Sequence, residues 1–184
     1  MDRFNFLMVL MSIIVGLGIT EILINVARQI KLRKSSKPFW VHSGVVALLF
    51  LAFLQVWWES WQLRVVNEWA FPHLLLMLAT PVGLFLISHL IFPEDFEDAD
   101  FEEYYFENSR LLWPAAAVTV LSALSFYPII FGSPIIIADN ALPFAMIGFF
   151  AILTISKARA LHLAAIPILI LALLIDVMVF RPVL

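Results

Sequence analysis

Residues 6–27 read FLMVLMSIIVGLGITEILINVA and contain one charged side chain, Glu21. A helix needs about 20 mostly apolar residues to cross the hydrocarbon core of a bilayer. This stretch therefore predicts a transmembrane helix. Arg28 and Lys31 follow it directly, and no small-residue cleavage site precedes them, so the pattern favours a retained first span over a removed signal peptide.

The same kind of apolar run recurs along the whole chain of 184 residues. Hydrophobic residues make up 63% and charged residues 14%, against about 45–50% and about a quarter in soluble domains. The runs do not alternate apolar and polar residues as the strands of a membrane barrel do. We predict an all-α, polytopic membrane protein with a single transmembrane domain over residues 1–184. Its six transmembrane helices are predicted at about 6–27, 41–58, 71–92, 111–131, 138–156 and 161–180.

The basic residues predict how these spans are oriented, because cytoplasmic loops are rich in Lys and Arg. Eight basic residues fall on one side of the predicted bundle: Arg28, Lys31, Arg33, Lys34, Lys37, Arg110, Lys157 and Arg159. Arg3, Arg64 and Arg181 fall on the other side. The sequence therefore predicts that both termini are extracytoplasmic.

Composition also excludes several classes of function. The chain has no cysteine, which excludes disulfides, thiolate metal sites and cysteine nucleophiles. The net charge is −3, so there is no basic footprint for nucleic acid. A glycine-rich phosphate loop and a GxSxG elbow are absent from the sequence, which favours a protein that is not an enzyme.

Ionisable residues inside a span are costly and indicate a functional site. Glu21, Asn25 and Arg28 are spaced four and three residues apart, so they form one polar stripe on the first helix. Asp176 lies deep in the sixth span. The leading hypothesis is a channel or transporter for an ion, a proton or a small solute, with these four residues lining the path. A chain this small has little interior, so we also expect a homo-oligomer in the lipid bilayer.

Histidines suggest a first alternative. His42, His89 and His162 all lie at predicted cytoplasmic ends of spans. Histidine is a ligand for zinc, iron and haem iron. This alternative is a redox protein that holds haem or a divalent metal through these three residues.

The segment 93–110, PEDFEDADFEEYYFENSR, suggests a second alternative. Eight of its eighteen residues are acidic. Asp100 followed by Glu103 is typical of a helix start, so we expect a short interfacial helix before the fourth span. The alternative is a membrane scaffold or stress-response subunit that docks a protein partner through this acidic loop. The docking candidates are Asp95, Glu97, Asp98, Asp100, Glu102 and Glu103.

Four motifs resemble those of a group of small bacterial inner-membrane proteins to which no activity is assigned. They are VGLGITEIL at 15–23, FWVH at 39–42, QVWW at 55–58 and YYFENSR at 104–110. The resemblance covers most of the chain. It implies six spans and a multi-pass location in the bacterial inner membrane, and it implies no chemistry.

Overall fold

The computed structural model describes residues 3–66, 68–137 and 140–180. Within these ranges the chain is helical and contains no strand. The helices are α1 (Arg3–Lys31), α2 (Trp40–Glu59), α3 (Phe71–Leu90), α4 (Phe101–Phe131), α5 (Ala141–Ile155) and α6 (Arg159–Ile175). A short 3₁₀ helix (Ser60–Val65) follows α2, and a π-helical turn (Asp176–Phe180) follows α6.

The prediction of an all-α protein with apolar, membrane-length helices is confirmed. Five of the described helical segments are long and apolar enough to cross a membrane. The exception is α5, which has 15 residues and rises about 22 Å at 1.5 Å per residue. That is less than the roughly 30 Å of a hydrocarbon core. Six membrane crossings and the side of each terminus therefore stay predictions.

Contacts between distant connections show the direction of each helix. Lys37 Nζ lies 3.1 Å from Asp100 Oδ2, and Arg159 Nε lies 2.6 Å from Glu102 Oε1. The connections 32–39, 91–100 and 156–158 therefore meet at one end of the bundle, which we call the predicted cytoplasmic end. At the opposite, predicted outer end, the Phe4 ring packs edge-on against Trp61. Successive helices thus run up and down, and α5 returns the chain from the end of α4 to the start of α6.

The fourth helix corrects one prediction. We expected a short interfacial helix before span 4, but Phe101–Phe131 is one continuous helix that includes both. Asp100 caps it, because its Oδ1 accepts hydrogen bonds from the backbone N–H groups of Glu102 and Glu103. Phe101 and Tyr105 on its first turns are fully buried. Packing of these aromatic side chains against the other helices explains why the helix continues without a break into the span.

Small residues set the close approaches between helices. A Cβ at Gly18 of α1 would overlap the ring of Phe53 on α2, and a Cβ at Gly83 of α3 would overlap the Thr119 side chain on α4. Thr80 and Ser122 share a hydrogen bond of 2.9 Å across α3 and α4. These contacts join α1 to α2 and α3 to α4, as small and hydroxyl residues do in membrane bundles.

Candidate functional site

A cavity of about 400 Å³ lies between α2, α3, α4, α5 and α6. Its deep wall is apolar and includes Ile87, Trp113 and Phe150. The indole ring of Trp113 stacks on Phe150 with ring centroids 5.3 Å apart. Polar residues line the cavity mainly toward the predicted outer end, where α2 and α6 finish. A mostly apolar pocket with a few converging polar groups is the usual form of a small-molecule site.

Two carboxylates meet at the polar end of this cavity. Gln55 Nε2 donates a hydrogen bond to Glu59 Oε1 and another to Asp176 Oδ2, each 2.7 Å long. Glu59 lies one helical turn after Gln55 on α2, whereas Asp176 follows the last turn of α6. Asp176 is only 4% exposed. We call Gln55, Glu59 and Asp176 the carboxylate cluster.

The charge of the carboxylate cluster determines what it attracts. Two carboxylates that share one amide donor lie close to each other, and a cation or a hydrogen-bond donor beside them reduces their mutual repulsion. The low dielectric constant around buried groups strengthens this preference. The cluster is therefore suited to a positively charged or hydrogen-bond-donating group at the polar end of an apolar cavity. Arg181, which the sequence places close to Asp176, lies outside the described residues.

The predicted stripe on α1 is partly assembled, but it lies away from this cavity. Asn25 Nδ2 donates to Glu21 Oε1 over 2.9 Å, and His89 Nδ1 of α3 lies 3.2 Å from the same oxygen. Arg28 does not join them. Its guanidinium group donates to the carbonyl oxygen of Glu94 and lies over the Phe96 ring. Glu21 is thus paired with a histidine, and Asp176 is the one predicted path residue that lines the cavity.

The three histidines predicted to share a metal or haem do not come together. His42 Nε2 is 2.8 Å from the carbonyl oxygen of Ile91, and the His42 ring packs against Phe92 and Phe101. His162 Nδ1 accepts a hydrogen bond of 2.7 Å from the Tyr105 hydroxyl, and His162 Nε2 donates to the Ser156 carbonyl oxygen.

His89 pairs with Glu21, so each of the three rings has a different partner. The described part of the chain holds no group of three or more His, Asp or Glu side chains placed to bind a metal ion. The sequence grouped the histidines by depth, and their separate helix faces keep them apart.

Several acids of the predicted docking loop already have partners within the chain. Asp100 pairs with Lys37, and Glu102 pairs with Arg159. The N–H of Glu103 and the ammonium group of Lys37 lower the pKa of the Asp100 carboxyl below its ordinary value. Asp95 Oδ1 accepts from the backbone N–H of Glu97. The remaining docking candidates, Glu97, Asp98 and Glu103, are exposed.

Two members of the carboxylate cluster, Gln55 and Glu59, were not identified as functional candidates from the sequence. They stand at the end of span 2 beside Trp57 and Trp58, where polar residues are ordinary. Their spacing of four residues was the available signal, since it places both on one helix face. Comparison of the chain with protein-family models, curated proteins and solved structures finds no match.

Proposed function

We propose that this protein is a membrane transporter for a small amphipathic cation. The cation binds in the cavity between α2, α3, α4, α5 and α6. The observation that carries the proposal is the carboxylate cluster at one end of a mostly apolar cavity. The cationic group of the solute lies beside Glu59 and Asp176, and its apolar part lies between Trp113, Phe150 and Ile87. This refines the expectation of an ion, proton or small-solute path and moves that path from α1 to the cavity.

The depth of the cavity supports transport as well as binding. Gln55 and Asp176 stand near the ends of α2 and α6 at the predicted outer end, whereas Trp113 lies 12 residues after the start of α4 at the other end. A helix rises about 1.5 Å per residue, so the cavity extends from the predicted outer end well into the bundle. Residues of α5 and of the 132–137 segment line one side of the cavity, so a movement of this part of the chain would change its access.

Glu21 and His89 supply a candidate proton-exchange pair at the predicted cytoplasmic end. A carboxylate and an imidazole 3.2 Å apart can share or pass a proton, and both residue types serve in membrane proton relays. A transporter that exchanges a cation for a proton needs a group that takes up and releases that proton. We propose that Glu21 couples transport to proton movement, with Asn25 holding its carboxylate in place.

The first experiment measures binding of benzyltrimethylammonium to the full chain in mild detergent by calorimetry. The variants Glu59→Gln and Asp176→Asn are expected to weaken binding at least tenfold. Glu68→Gln is the matched control, since Glu68 is exposed near the same end and does not line the cavity. The neutral isostere neopentylbenzene is expected not to compete at equal concentration. Equal affinity in all three variants, or equal competition by the isostere, would contradict the proposal.

A second experiment separates transport from binding. Proteoliposomes are expected to take up radiolabelled benzyltrimethylammonium faster than empty liposomes, and an inward or outward pH gradient is expected to change that rate. Glu21→Gln is expected to abolish the effect of the gradient while cation affinity in detergent stays within twofold. Binding without uptake would overturn the transport function. Uptake in Glu21→Gln that still responds to the gradient would overturn the coupling role.

A further inference from the structure

A second concave surface lies on the outside of the bundle, between α1 and α2. It is a groove of about 630 Å³. Its walls are Ile22, Val26 and Ile30 on one side and Val46, Phe50 and Leu51 on the other. The connection 32–39 closes the groove at the predicted cytoplasmic end, where Gln29, Arg33, Ser36 and Ser43 supply its polar residues.

The length of the groove matches one leaflet of a bilayer. From Ser43 to Leu51 helix α2 rises about 12 Å at 1.5 Å per residue, and half of a hydrocarbon core is about 15 Å. The apolar walls thus follow the direction and the depth of a single acyl chain. The polar end of the groove lies where the headgroup of such a lipid would be.

The charge at this end selects the kind of headgroup. Arg33 is exposed and lines the groove, and its Nη1 donates to the Ile30 carbonyl oxygen over 3.0 Å. A guanidinium group has five N–H donors, so further donors are available to a phosphate. Lys31 and Lys34 are exposed on the same turn of chain. No acidic residue is among the described residues that line the groove, in contrast to the cavity with the carboxylate cluster.

We propose that the α1–α2 groove binds an anionic phospholipid, with one acyl chain between Val26, Val46 and Phe50 and the phosphate beside Arg33. Basic pockets between helices at a cytoplasmic face recognise such lipids through their charge. Arg33 is the residue that determines headgroup preference. Two further cations near this end are held elsewhere, since Lys37 pairs with Asp100 and Arg28 contacts Glu94 and Phe96.

The test compares dioleoyl-phosphatidylglycerol with dioleoyl-phosphatidylcholine, which has the same chains, by thermal unfolding and native mass spectrometry of the full chain in detergent. Phosphatidylglycerol is expected to raise the unfolding midpoint of the wild type more than phosphatidylcholine does. Arg33→Gln is expected to weaken phosphatidylglycerol retention at least fivefold. Lys34→Gln, which removes the same charge from a neighbour that does not line the groove, is expected to leave retention within twofold.

A second variant tests the acyl-chain contact and keeps the proposal falsifiable. Ala47 is exposed on the groove wall, so Ala47→Trp is expected to fill the groove and lower retention of both lipids without lowering the midpoint measured in detergent alone. Equal retention of the two lipids by the wild type, or equal losses in Arg33→Gln and Lys34→Gln, would overturn the proposal. Formation of a disulfide-linked dimer by Ala47→Cys in membranes would also overturn it, because a second copy of the chain would then occupy the groove.

Discussion

Single residues determine how closely the helices of this bundle approach one another. Gly18 on α1 is the clearest case, because Phe53 of α2 is fully buried and its ring occupies the space that a Cβ would need. Gly16, two residues earlier, has no atom within 4 Å of the position of its missing Cβ. The two glycines therefore have different roles although only Leu17 separates them.

Gly18→Ala is expected to lower the free energy of unfolding by about 1–3 kcal/mol, since overpacking a well-filled contact costs that much. Gly16→Ala is the matched control and is expected to be neutral or to stabilise by up to about 1 kcal/mol through helix propensity. Thermal unfolding in one detergent measures both. An equal effect of the two substitutions would show that the Gly18–Phe53 contact does not set the spacing of α1 and α2.

Tyr105 shows how one hydroxyl group links two helices. Its hydroxyl donates to His162 Nδ1, and both side chains are fully buried. Tyr105→Phe is expected to cost about 1–3 kcal/mol, the usual penalty for leaving a buried polar atom without its partner. The double variant Tyr105→Phe with His162→Phe is expected to cost less than the sum of the two single variants, because both partners are then removed. Strict additivity in thermal unfolding would exclude this link between α4 and α6.

At the scale of the element, the start of α4 depends on an acid. Asp100 caps the helix and pairs with Lys37, and the isolated backbone bridge between Lys37 and Asp100 holds the two connections together. The lowered pKa of Asp100 makes this contribution dependent on pH. A carboxyl whose pKa is lower in the folded state stabilises the fold above its ordinary pKa of 3.8, and this stabilisation is lost as the pH falls through the lower folded-state value.

Asp100→Asn is therefore expected to lower the unfolding midpoint at pH 7 and to have a smaller effect at pH 3, which lies below the ordinary pKa of 3.8, because the stabilisation by the charged carboxyl is already reduced there. The asparagine still accepts hydrogen bonds at the helix start, so the difference reports mainly the charge. Asp98→Asn is the matched control. It removes an exposed charge from the same loop, and asparagine tolerates the positive φ of 57° at that position. A midpoint difference for Asp100→Asn that is equally large at both pH values would contradict the charge argument.

For the whole molecule, the position of α5 determines the topology. The Arg159–Glu102 ion pair places the start of α6 beside the start of α4, so the chain must return between them although α5 itself is short. If that return crosses the bilayer, Lys34 and Lys157 lie on the same side of the membrane. If it does not, they lie on opposite sides, and the Arg159–Glu102 pair seen in the structure does not form.

The absence of cysteine from the chain allows this to be measured without background labelling. In intact cells, a membrane-impermeant maleimide is expected to label Arg64→Cys and to leave Lys34→Cys and Lys157→Cys unlabelled. All three positions are exposed in the folded chain. Labelling of Lys157→Cys together with Arg64→Cys would show that α5 does not cross. Labelling of Lys34→Cys and Lys157→Cys without labelling of Arg64→Cys would show that the predicted orientation is reversed.

The expected homo-oligomer also belongs to this scale and stays a prediction. Many apolar side chains of α1 face away from the bundle, Ile13, Leu17 and Ile24 among them. Lipid and a second copy of the chain are both suitable neighbours for such a face. The mass of the protein in detergent, measured by light scattering with the detergent contribution subtracted, decides between them.

Local sequence was sufficient for the existence of the helices and for many of their approximate ends. An apolar environment forces the backbone to satisfy its hydrogen bonds within each segment, so the run of apolar residues at 6–27 predicts a helix without knowledge of any neighbour. The same holds for Asp100, because a cap depends on the next three residues only. The sequence did not show that the helix starting after Asp100 continues without a break into span 4, since burial of Tyr105 depends on packing against other helices.

The pairing of polar residues was decided by the tertiary structure alone. Gln55 and Asp176 are 121 positions apart and Glu21 and His89 are 68 positions apart, so no local pattern connects them. The sequence placed three histidines at one depth, but the rotation of each helix about its own axis sends their rings to different partners. Depth in a membrane follows from position along one helix, which the sequence contains. Contact follows from which helices are neighbours and which faces they share, and only the packed bundle determines that.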